Sequence, residues 1–120
     1  MTRKEITGIR SLDFSKWIRS KLPDSQTGYS ASDLDFILWN WKTKKVMFLE
    51  IKTRNSEIRQ GQKLMWINIH NWIKKGIDKD WTYYGFHLIQ FENTSFEDGK
   101  CFFDYEEITE IDLIKKLSFI

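Results

Sequence analysis

Apolar side chains recur along the chain with two alternating periods, and the changes of period mark out its elements. In residues 11–22, Phe14, Trp17, Ile18 and Leu22 fall at helical spacing. The pattern predicts a helix capped by Ser11 and stopped by Pro23. Residues 23–32 are rich in small and turn-forming side chains and read as a loop. Two apolar runs follow, Leu34 to Trp39 and Val46 to Ile51, separated by polar residues 40–45. They predict a β-hairpin over 33–52. Pairing in which partner numbers sum to 85 sets Ile37 against Phe48, Leu38 against Met47 and Asp35 against Glu50. A slip of one residue would mix charge with apolar side chains on both faces, whereas sums of 83 and 87 keep the faces and stay open. Both faces of the ribbon are apolar near the turn, so both are expected to be covered.

Residues 56–75 predict a second helix, capped by Asn55 or Ser56 and stopped by Gly76, with a stripe of Ile58, Gln62, Met65, Ile69, Trp72 and Ile73. Residues 81–91 read as a strand, Cys101 to Tyr105 as a short strand, and Thr109 with Asp112 as the opening of a last helix through Leu117. The order helix, hairpin, helix, strand, strand, helix predicts an α/β fold: one domain over 1–120, with a central mixed sheet between helices.

Composition narrows the class. The longest uninterrupted apolar runs, Val46 to Leu49 among them, are four residues, far short of the roughly 20 residues of a membrane span. The N-terminal residues lead into no apolar signal core, and the expected location is cytoplasmic. Cys101 is the single cysteine, and no Cys/His spacing suits zinc. His70 lies off the helical stripe and is expected to be exposed; His87 is expected to be a hydrogen-bonded structural histidine. The net charge of +2 hides segregation: residues 1–22 carry +4, residues 23–41 carry −3, residues 42–63 carry +5 and residues 91–120 carry −5. Basic segments flanking a few carboxylates suit a polyanion that must meet a metal.

The carboxylates in question are Asp35 and Glu50. Across an antiparallel pair their Cβ atoms would stand about 5 Å apart. A divalent cation between them would relieve their repulsion, and Lys52, on the face of Glu50, could hold a water or offset charge on a phosphate. The competing reading is an exposed ion network protecting a strand edge.

The string SDLDFILWNWKTKKVMFLEIKTR resembles the core of the PD-(D/E)xK nuclease superfamily, with Asp35 followed by Glu50-Ile51-Lys52 on the second hairpin strand. Gln62 resembles the glutamine that many branches place on the following helix. The motif's proline is absent, since Leu34 precedes Asp35 and Ser32 precedes Asp33, so the ligand lies between these two acids; Asp35 is preferred because it faces Glu50. The resemblance implies a restriction-endonuclease-like fold, with a catalytic β-hairpin in a sheet flanked by helices on both faces. It further implies Mg²⁺ or Mn²⁺ held by Asp35, Glu50 and the Ile51 backbone carbonyl, with Asp33 as the alternative ligand. Lys52 and Gln62 would act on the attacking water, and Arg54, Arg59 and Lys63 would hold DNA phosphates. The implied activity is metal-dependent hydrolysis of DNA, including branched DNA or ends. Small stand-alone members of the superfamily often form homodimers and are frequent in phages and mobile elements. The alternative is a non-catalytic nucleic-acid-binding module on the same fold.

Overall fold

The computed structural model describes residues 9–28, 30, 32 and 34–120. The chain divides into two compact units, residues 1–33 and 34–120. Asp33, the alternative ligand, lies outside the described residues, as do Tyr29 and Ala31.

In the first unit, α1 (Ile9–Lys21) starts two residues before the expected cap, so Ser11 lies inside the helix. The Phe14 and Trp17 rings, three residues apart on one helical face, stack at 5.7 Å. Pro23 stops the helix, and the backbone N–H of Gln26 donates to Asp24 Oδ1 in the 3₁₀ turn Ser25–Thr27 that follows.

The second unit is built on a five-stranded mixed sheet in the order β1 (Phe36–Asn40), β2 (Lys45–Lys52), β3 (Thr82–Phe91), β4 (Cys101–Phe103), β5 (Glu106–Glu107). The β1–β2 register is the expected one, Phe36 with Leu49 through Asn40 with Lys45. Its cause is the alternation itself: Phe36, Leu38, Met47 and Leu49 share one face. There Met47 and Leu49 join Ile89, Cys101 and Leu113 in the core. β2 runs parallel to β3, and the required crossover is α2 (Gln60–Gly76). Thr109 caps α3 (Glu110–Leu117) as expected, its side chain accepting from the Asp112 N–H. Leu113 of α3 packs on the Met47–Leu49 face, whereas Trp66 of α2 stacks on Phe86, which stacks on Phe48, on the other. Within this unit the two helices therefore cover opposite faces of the sheet.

Several local expectations are corrected. The ladder starts at Phe36, so Leu34 has no partner in it and Asp35 sits in the bend before β1. Helix α2 begins at Gln60, because Arg54 and Asn55 take left-handed backbone angles and Ser56 closes a turn onto Thr53. Gly76 is its last residue and Ile77 its C-cap. The inward face of α2 carries Gln62, Trp66, Ile69, His70 and Ile73, while Met65 and Trp72 point outward. Trp66 displaces its neighbour Met65 because it fits the aromatic surface of Phe48 and Phe86. Ile37 and Trp39, expected to be covered, are exposed. The short strand ends at Phe103, and Asp104 and Tyr105, both with positive φ, turn the chain into β5.

In β3, the pairing of Val46 with Tyr83 is followed by that of Phe48 with Phe86, so β3 holds one extra residue opposite Met47. Gly85 takes φ +101° at this bulge, and a Cβ there would stand 3.0 Å from His87 Nε2. Glycine is required twice over, by the backbone and by the imidazole.

Candidate functional site

The C-terminal half of β2 is Leu49-Glu50-Ile51-Lys52, and alternation sends Glu50 and Lys52 to the α2 face. Glu50 is 3% exposed, the one charged side chain among the buried residues described. Its Oε1 stands 3.5 Å from Lys52 Nζ and accepts a hydrogen bond of 3.3 Å from Gln62 Nε2. Gln62 reaches it from the first turn of α2, one turn before Trp66, whose stacking on Phe86 fixes the helix against the sheet. Lys52 keeps about a fifth of its side chain in solvent, so the group opens to the surface at its ammonium end.

The β1–β2 register carried one step beyond its last pair sets Asp35 opposite Glu50. The Asp35 carboxylate takes the place of a strand partner: Oδ2 accepts the Ile51 N–H at 2.8 Å. In an extended strand the N–H and C=O of one residue leave on the same flank. The Ile51 carbonyl therefore faces the flank that Asp35 occupies.

Carboxylate and carbonyl oxygens such as those of Asp35, Glu50 and Ile51 are the donors that hard divalent cations take, with waters completing the shell, and these three would be the residues to hold one here. Among the described residues no group of three or more His, Cys, Asp and Glu side chains that could hold a metal ion gathers. Lys52 and Gln62 meet at Glu50 Oε1, and Asp35 joins the Ile51 backbone next to it. Arg54 follows β2 in a left-handed turn, its N–H donating to Asn93 O at 2.8 Å. Arg59 is the N-cap of α2 without a side-chain hydrogen bond, and Lys63 lies beside Gln62 in the first turn. All three are exposed.

A second polar group escaped the sequence reading. His87, hydrogen-bonded as expected, places Nδ1 2.6 Å from Asp104 Oδ2 and Nε2 2.6 Å from Tyr84 O. Burial works to lower the His87 pKa, but the Asp104 carboxylate and the Tyr84 carbonyl outweigh it and hold the imidazole above its ordinary value. Burial would raise Asp104, and the His87 hydrogen bond with the Leu88 N–H holds it below the usual carboxylate range instead. Both acceptors lack protons to give, so the geometry is that of an imidazolium. His70, expected to be exposed, is half-buried, with Nδ1 2.8 Å from the Tyr83 hydroxyl, whose pKa burial pushes up to about 12. His87, Asp104, His70, Lys63 and Trp66 line a cavity of about 220 Å³ on the α2 side.

Comparison with known proteins adds no relative: no family model, no curated protein and no solved structure matches the chain.

Proposed function

We propose that the chain is a metal-dependent nuclease hydrolysing phosphodiester bonds in DNA, on a restriction-endonuclease-like arrangement of its sheet and helices. The observation that carries this reading is the group around Glu50: a buried carboxylate with Lys52 and Gln62 at one oxygen, and Asp35, in the bend before β1, hydrogen-bonded to the adjacent Ile51 N–H. A surface ion network protecting a strand edge would not bury its acid, and β2 is not an edge strand, being flanked by β1 and β3.

A divalent cation held by Asp35, Glu50 and the Ile51 carbonyl would supply Lewis-acid stabilisation of charge on the scissile phosphate. As an ammonium, Lys52 has three donors and no acceptor. Its part is to orient the attacking water and to offset the negative charge that gathers as the water oxygen bonds to phosphorus and the bridging P–O bond breaks. Gln62 fixes the Glu50 carboxylate and limits its rotamers. Arg54, Arg59 and Lys63 hold flanking phosphates and set the register of the backbone without reading sequence.

The test is a nicking assay on supercoiled and branched DNA with Mg²⁺ or Mn²⁺, comparing the wild type with Lys52→Ala and Glu50→Gln. Metal-dependent cleavage lost in both variants is the expected result. DNA binding without metal-dependent cleavage in the wild type would overturn the reading in favour of a non-catalytic nucleic-acid-binding module.

A further inference from the structure

We propose that the tip of the β1–β2 hairpin is a stacking platform for unpaired nucleobases, with Trp39 and Trp41 as the base-contacting side chains and lysines around them holding the phosphates. The inference rests on the nuclease reading for its choice of nucleic acid and adds to it the form of DNA that the chain engages.

Trp39 is 59% exposed, Trp41 67% and Ile37 53%. Ile37 and Trp39 share the β1 face that α2 leaves open, and Trp41 follows two residues on, in the turn. With Val46, Ile77 and Trp81, Ile37 and Trp39 border a groove of about 450 Å³, and Trp41 stands outside its lining. Neighbouring large apolar side chains left in solvent are the mark of a binding surface. The turn is held rather than loose: Asn40 Oδ1 accepts from the backbone N–H groups of Lys42 and Thr43 at 2.9 and 3.0 Å. The Thr82 N–H donates to Lys44 O at 2.8 Å. A fixed indole loses little entropy on stacking.

Charge decides which occupant suits this surface. The two segments bordering it, residues 41–45 and 74–81, carry Lys42, Lys44, Lys74, Lys75 and Lys79 against Asp78 and Asp80, with Lys44 paired to Asp80 at 2.6 Å, while Lys45 lies on the other sheet face and reaches Phe119 O. Lys42 Nζ already stands 5.5 Å from the centre of the Trp41 ring, so cation and π-face are presented together. A second copy of the chain would bring the same positive charge to the same place, whereas a polyanion with flat π-faces complements both features. Paired bases inside a duplex hide their faces; unpaired bases offer them. From Val46 to Glu50 is four residues of one strand, or about 13 Å. A strand of DNA could therefore reach the candidate cleavage site from the platform within a few nucleotides.

The experiment uses the full chain in EDTA, where no metal-dependent cleavage occurs, and fluorescence anisotropy of a labelled single strand and a blunt duplex of equal length. The wild type should bind the single strand more tightly. Trp41→Ala and Trp39→Ala should each weaken single-strand binding by roughly 5- to 100-fold, with a smaller effect on duplex. Lys42→Ala should weaken both and flatten the dependence on salt. Both tryptophans are exposed, and thermal unfolding of each variant checks that the fold is kept. Equal affinity for the two forms, or unchanged single-strand binding in both tryptophan variants, overturns the platform. So does self-association in sedimentation that Trp39→Ala abolishes while oligonucleotide binding stays intact, since the groove would then belong to a second copy. Binding that passes while the nicking assay fails keeps the platform and removes the nuclease; cleavage that survives without base-dependent binding does the reverse.

Discussion

Replacing Lys52 by Met keeps most of the aliphatic stem and removes the ammonium 3.5 Å from Glu50 Oε1. At that distance two unit charges attract by about 5 kcal/mol for an effective dielectric of 20. Desolvation offsets part of this attraction in the intact pair, but removing one partner leaves the other buried, and Glu50 keeps only 4% of its side chain exposed. Lys52→Met is therefore expected to cost about 3 kcal/mol of stability, the lower end for a broken buried pair, because Gln62 remains as a donor. Adding Glu50→Gln to that variant should return about 2 kcal/mol, since the buried charge is then gone. Urea unfolding of the wild type, both single variants and the double variant gives the coupling directly. The coupling should persist in about 0.5 M NaCl, because a pair this buried is weakly screened. A coupling under about 0.5 kcal/mol, or one that salt abolishes, would mean a solvent-screened pair of the surface kind, and the reasoning that makes this group a cleft would fail.

Mg²⁺ or Mn²⁺ at about ten times its dissociation constant should stabilise the wild type by about 1.4 kcal/mol, raising the melting temperature by about 5 °C, with no shift in Glu50→Gln. The His87–Asp104 pair sets a window of pH. The His87 pKa is raised on folding, so its contribution is complete below about pH 6.5 and is lost as pH rises through the folded value. The Asp104 pKa is lowered, so its contribution is present above about pH 4 and is lost as pH falls through the folded value. Unfolding free energy measured across pH should decline on both sides of that window in the wild type, and His87→Gln should flatten the alkaline side. Gly85→Ala should destabilise by about 1–2 kcal/mol and move the His87 titration in NMR, because the new methyl stands against Nε2. Leu113→Ala should cost about 2–5 kcal/mol in the same unfolding assay by opening a cavity under Met47 and Leu49.

The hairpin was legible because apolar alternation rules out a slip of one residue. It leaves sums of 83, 85 and 87 open, and the observed ladder takes 85. The inward face of α2 was not legible to the residue, because Met65-Trp66 and Trp72-Ile73 put two large apolar side chains at adjacent positions. Periodicity cannot choose between neighbours of similar hydropathy; the aromatic surface of Phe48 and Phe86 does. β5 is two glutamates with no apolar pattern, paired because Asp104 and Tyr105 adopt a turn that their side chains do not advertise. The same turn delivers Asp104 to His87 across 17 residues, a meeting that no local spacing announces. The contact of Glu50 with Lys52 and Gln62 could be read in advance because β alternation and one helical turn set their directions, whereas Asp35 lies in the bend before β1, where no periodicity directs it, and His70 was misplaced along with the stripe it was judged against.

Asp35 acts as the terminus of a β-ladder, with a side-chain oxygen where the next backbone acceptor would be. An amide side chain offers a similar oxygen without the charge. A descendant of this chain under no demand for the proposed chemistry would therefore be free to exchange Asp for Asn at that point and keep its architecture, but not to install Ala or Val. Sequence drift at position 35 would thus separate the demands of folding from those of the proposed catalysis, in a way that drift at the solvent-facing lysines could not.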